Sequence, residues 1–119
     1  MSQTDTVFTA YHEERNLTIT LLEGNLYFGK AHIISRRPDM AKRIDAVKYA
    51  IENHDIAYKD KDHGNRERIY CLGADSTRSS LYMAVVVEYN SVTNGTIITA
   101  WPSDKMVGGG DIVYTKSES

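Results

Sequence analysis

A chain of 119 residues is too short for two full domains, yet long enough to bury about two-thirds of its unfolded surface without staples. Its 41% hydrophobic and 25% charged residues are those of an ordinary soluble globular protein, and its net charge of −2 argues against a generally basic nucleic-acid binder. The longest apolar run, Met83 to Val87, is strand-sized rather than membrane-sized, so no membrane span is expected.

The N-terminus shows no basic region followed by a long apolar stretch, so it does not read as a secretory signal. Cys71 is the single cysteine, which rules out an internal disulfide framework and fits a reducing compartment; the expected location is cytoplasmic. Residues 1–6 and 116–119 are polar and read as frayed ends of one domain spanning 1–119.

In chain order, "LTITLL" at 17–22 reads as a strand, with "TVFTAYH" before it as a hairpin partner. Gly24 and Asn25 offer a stop and an N-cap for a first helix from about Leu26 to Arg36. Pro38 suits the first turn of a second helix, and Asp39 favours the positive end of its dipole. Met40, Ile44, Val47 and Ile51 then follow at helical spacing, ending near "ENHD". A turn-rich loop is expected at 58–67, followed by strands at 66–72, 81–89 and 96–101. Asn94-Gly95 favours a tight hairpin turn between the last two. The glycines at 108–110 read as a flexible loop, and "DIVYT" as a short final strand. The expected class is α+β: an N-terminal strand and two helices packed on an antiparallel meander sheet of about four strands.

Charge is unevenly spread. Residues 30–68 carry ten bases and seven acids, a net of +3, whereas both flanking segments are acidic. In the first helix, Leu26, Tyr27, Ala31, Ile33 and Ile34 fall on one side, and His32 and Arg36, four apart, fall together on the other. Period-2 alternation puts Arg66, Arg68 and Tyr70 on one strand face, with Glu67, Ile69 and Cys71 on the helix-covered face. Two guanidinium groups and a phenol suit phosphate oxygens and stacking with bases. In "TIITAW", Ile97, Thr99 and Trp101 are expected on one face and Ile98 and Ala100 on the other, so Thr99 beside an aromatic can hydrogen-bond a phosphate.

Other motifs fall away. "DKDHGN" has its glycine one place early for a calcium loop, and the four histidines lack paired metal-ligand spacing. "VGGGD" has no following Lys-Ser/Thr, so it is no phosphate-binding loop. No metal or other cofactor is expected. Cys71 reads as a buried, inert strand residue.

Taken in order, "HIISRRPDM", the amphipathic helix after it, "YKDKDHGNRERIYC", "LYMAVVVEY" and "GTIITAWPSDK" resemble the phage-type members of the barnase, EndoU, colicin and RelE-like (BECR) nuclease superfamily. That family has a His-Ile pair before an Arg-His-Pro-Glu element. Here Arg37 stands for the second histidine and Asp39 for the glutamate; the resemblance runs from about residue 17 to 106.

It implies a metal-independent RNA endonuclease of toxin or phage-effector type, in which the ribose 2′-OH attacks the neighbouring phosphate. His32, Arg36 and Thr99 match the catalytic positions, with His32 as acid/base. Arg66, Arg68, Tyr70 and Arg37 are the substrate-binding candidates, and His63 is the spare proton-transfer partner among them. An RNA substrate and an antitoxin or immunity protein are the implied partners. The competing expectation is a catalytically inactive RNA- or protein-binding module on the same fold, such as a phage accessory protein.

Overall fold

The computed structural model describes residues 2–107 and 110–117; Gly108 and Gly109 of the expected glycine loop, and the outermost residues of both ends, lie outside the described residues. The polypeptide is α+β, with two α-helices and a seven-stranded mixed sheet. Strands β1 (Thr6–His12) and β2 (Leu17–Leu22) form the expected antiparallel hairpin. Its turn places Asn16 in the left-handed region, at φ 53°, which asparagine tolerates better than most residues. Beyond β1, the main-chain oxygens of Asp5 and Gln3 accept bonds from the amides of Glu23 and Gly24, at 2.8 Å each.

Helix α1 runs from Gly29 to Arg36, three residues shorter than expected. The cause is the Gly24–Phe28 loop. Gly24 and Gly29 have φ of +70° and +80°, and a Cβ on Gly29 would sit 2.7 Å from the Leu22 carbonyl oxygen. The close approach of strand end and helix start therefore requires glycine, and helical geometry begins only there. Leu26 and Tyr27 consequently lie outside the helix, 69% and 83% exposed, and Ala31 is exposed as well. Of the apolar side assigned from sequence, Ile33 alone is fully buried.

Arg37 is extended, as a residue before proline tends to be, and closes α1. Pro38–Lys42 then form a turn of 3₁₀-helix instead of the first turn of the second helix, and α2 spans Ile44–Asn53. The apolar stripe survives this change: Met40, Val47 and Ile51 are all 0% exposed.

Four further strands match or extend the expected ones: β4 (Arg66–Leu72), β5 (Tyr82–Tyr89), β6 (Asn94–Ser103) and β7 (Ile112–Thr115). An unexpected strand, β3 (Ile56–Lys59), runs into the first two residues of the loop expected at 58–67. Strand order is β1-β2-β6-β5-β4-β3-β7, and β2 runs parallel to β6, which replaces the four-strand antiparallel meander. The parallel pair arises because β2 leaves the sheet into the helices and β6 returns beside it, as a parallel pair requires a long crossover.

Both helices press on one face of this sheet. Ile33, Met40, Val47, Ala50 and Ile51 form one cluster with Ile19, Leu21, Ile69, Cys71, Val85, Val87, Ile97 and Ala100. Burial of such side chains contributes roughly 1.5–3 kcal/mol each and drives the docking. The sheet curls so far that its two edge strands meet: the rings of His12 in β1 and Tyr114 in β7 lie 5.2 Å apart, with His54 at the end of α2 between them.

Alternation in β6 is broken where Thr99 pairs with Val86 but Ile97, two residues back, pairs with Val87. Ile98 is the extra residue of a β-bulge, and it flips the phase. Ile97 and Ala100 therefore both reach the core, while Thr99 and Trp101 face away from it; the expectation that Ile97 shares their side is corrected.

Candidate functional site

The β2–β6 ladder covers only Thr18–Thr20 against Asn94–Thr96. From Ile97 onward β6 is paired with β5 alone, so its other edge carries main-chain groups without a strand partner. Helix α1 lies beside that edge. Between them is an open cleft of about 420 Å³ lined by His32, Arg36 and Arg37 on one side and Thr99, Ala100 and Trp101 on the other.

Helical spacing sets His32 and Arg36 on one stripe of α1, and the extended Arg37 carries a second guanidinium onward from the helix end. His32 is fixed by its own preceding loop: Nδ1 lies 2.6 Å from the Leu26 carbonyl oxygen. Because a carbonyl only accepts, Nδ1 donates the proton, and in the neutral ring Nε2 carries the free lone pair. Sequence reading missed this anchor, since it is a main-chain oxygen six residues upstream.

The charge setting distinguishes this cleft. Of the chain's seven arginines, Arg15 pairs with Glu67, Arg43 with Asp75, Arg66 with Glu88, Arg68 with Asp60 and Arg78 with Asp39. Arg36 and Arg37 are exposed and have no carboxylate partner among the described residues. No Asp or Glu lines the cleft, whereas four other surface hollows each include one. Two unneutralised guanidinium groups, a threonine hydroxyl and free strand-edge groups can hold a phosphate-like anion. The His32 ring beside it can accept a proton at its free Nε2.

The other candidates are elsewhere and engaged. Arg66 donates to Glu88 at 3.0 Å and lines a separate hollow with Arg15, Lys59 and Glu67. Arg68 stands 3.7 Å from Asp60 and 3.4 Å from the Val107 carbonyl oxygen. Burial works against the charge of Asp60, but the amides of Asp62 and His63, with Arg68 nearby, outweigh it and hold the carboxyl below its usual range. His63, exposed, has Nδ1 3.6 Å from Asp60 and does not line the cleft.

Tyr70 does share the outer face with Arg68, but it is 1% exposed. Its hydroxyl donates to the Val107 carbonyl at 2.7 Å and accepts from the Val107 amide at 3.2 Å, and Tyr58 and Tyr82 meet its ring edge-on. The segment following β6 thus folds back over the outer face and covers that tyrosine. Cys71 is 2% exposed, and burial pushes its thiol up to about 12, so it is not a nucleophile at neutral pH.

The sequence matches no protein-family model and no curated protein. Among the described residues, no helix is long and apolar enough to cross a membrane.

Proposed function

We propose that the cleft between α1 and β6 is the active site of a metal-independent RNA endonuclease. The observation that carries this reading is the gathering of His32, Thr99 and the two arginines without carboxylate partners, Arg36 and Arg37, in one cleft. His32 Nε2 takes the proton of the ribose 2′-OH. The O2′–P bond then forms and the P–O5′ bond breaks, leaving a 2′,3′-cyclic phosphate, and the departing O5′ takes a proton from solvent water. Arg36 and Arg37 counter the extra negative charge that builds on the phosphorus oxygens, while Thr99 donates to one of them.

This reading predicts RNA cleavage by the purified protein in EDTA. His32→Ala should lower the rate about 10²- to 10⁴-fold while far-UV circular dichroism stays unchanged. Wild-type rates in that variant would remove His32 from the reaction. A second reading has a specific observation in its favour: the cleft holds one histidine, and His63 does not line it. On that reading the protein binds RNA through the same cations without cutting it, and salt-dependent binding with intact RNA would be the result. Toxin activity and an antitoxin partner belong to the first reading; expression in cells with and without the His32→Ala change tests them.

A further inference from the structure

The bulge at Ile98 sets Thr99 and Trp101 on the same outward side of β6, about 7 Å apart at strand rise, and both line the cleft. That separation suits a phosphate held at one position and the base of the same or an adjoining nucleotide at the other. Trp101 is half-buried, so the indole is held in place while part of it faces the opening. Directly opposite it on β5 is Ala84, the smallest side chain on that part of the outer face, and beyond Ala84 comes the buried Tyr70. Tyr70, with its ring and hydroxyl already occupied, is not available to stack; beside the His32 ring assigned to proton transfer, Trp101 is the large aromatic side chain that lines the cleft.

We infer that Trp101 is the nucleobase platform of this site, stacking an unpaired base of a single-stranded RNA whose phosphate lies against Thr99, Arg36 and Arg37. The inference rests on the RNA reading above and adds the recognition element to it. Stacking needs an exposed base face, which a paired stem does not offer; loops and single strands do. Every base has such a face, so Trp101 provides affinity and register with little sequence preference. The cleft, at about 420 Å³, falls in the range of small-ligand sites and has room for a nucleotide unit.

Trp101 is the only tryptophan in the chain, so its fluorescence reports on this position alone. The probe is a short 2′-O-methyl oligoribonucleotide, which cannot be cut by 2′-OH attack, with binding followed separately by anisotropy of a labelled copy. Saturable quenching that tracks the anisotropy is expected, and inorganic polyphosphate should displace the oligonucleotide without quenching. Trp101→Phe should keep affinity within about threefold, and Trp101→Ala should weaken it roughly 5- to 150-fold with an unchanged circular dichroism spectrum. Binding by anisotropy without quenching, or equal affinity in Trp101→Ala, would overturn the platform while leaving the nuclease reading to its own cleavage assay. Absence of both binding and RNA cleavage would overturn the two together.

Discussion

In the seam where β1 meets β7, Arg15 donates to both oxygens of Glu67, at 2.9 and 3.0 Å, and its Nη1 lies 3.3 Å from His54 Nε2. In the cleft beside β6, Arg36 and Arg37 meet no carboxylate among the described residues, and His32 has one ring nitrogen bonded to the Leu26 carbonyl. Both clusters are histidine with arginine. In the seam the cation is committed within the protein: His54 Nδ1 donates to the Ile51 carbonyl, His12 Nδ1 accepts from the Arg15 amide, Tyr89 donates to Glu67, and Tyr114 lies under the Arg15 guanidinium. The difference teaches that residue type does not mark a site. What marks the cleft is charge left without an internal partner, because such charge is available to a ligand.

The largest way to break this contrast is to remove one partner from the seam. Glu67→Gln leaves the Arg15 charge, whose side chain is only 13% exposed, without its counter-ion, and should cost about 3–5 kcal/mol in urea denaturation. Arg36→Gln in the cleft should change stability by less than about 0.5 kcal/mol, since the exposed side chain has no carboxylate partner among the described residues. Equal losses in the two variants would mean that Arg36 has a structural role and that the cleft is not a vacancy for ligand.

Acid should weaken the seam. Burial, with His12 and Arg15 nearby, lowers His54 to about 3, and burial lowers His12 as well, opposed in part by Glu14. The unfolded chain, with histidines near 6.5, therefore binds more protons than the folded one between these values. Stability is complete above about pH 6.5 and falls as the pH drops below it, by at most about 1.4 kcal/mol per unit for each group. Thermal unfolding between pH 7.5 and 5 should show this decline, ahead of the range in which Asp60 and Asp75, both held below ordinary carboxyl values, are protonated. A midpoint that stays flat over that interval would mean that the two rings do not remain neutral in the folded seam.

Much of this architecture is legible in local pattern. The stripe Met40, Val47, Ile51 and the alternation of Ile69 and Cys71 against Arg66 and Arg68 lead to the right core, because period alone decides which side chains can share a face. What pattern does not carry is long-range or one-residue information. The parallel β2–β6 pairing joins segments more than seventy residues apart, and the bulge at Ile98 reverses the phase of a strand that reads as regular. β3 was hidden because its four residues, Ile56–Lys59, precede a polar turn. At the cleft, sequence brings His32 and Arg36 together and names Thr99, but it cannot distinguish the committed cations Arg66 and Arg68 from the free Arg37, since that depends on where Glu88 and Asp60 fold.

The mildest perturbation is the most discriminating for chemistry. Arg37 lines the cleft, and replacing it with histidine exchanges a fixed cation for a second imidazole. With His32 as the single acid/base, cleavage should show one pH limb, rising toward the alkaline side, because only a ring with a free Nε2 can take the 2′-OH proton. Arg37→His should convert that limb into a bell, because one ring must then be neutral and the other protonated. The rate at the optimum should change only a few-fold, since lost charge stabilisation offsets the added proton donor. Arg37→Lys, which keeps the charge and cannot titrate in this range, should retain the single limb. The measurement is the initial cleavage rate from pH 5 to 8.5, and a single limb in Arg37→His would mean that position 37 is too far from the leaving oxygen to serve it.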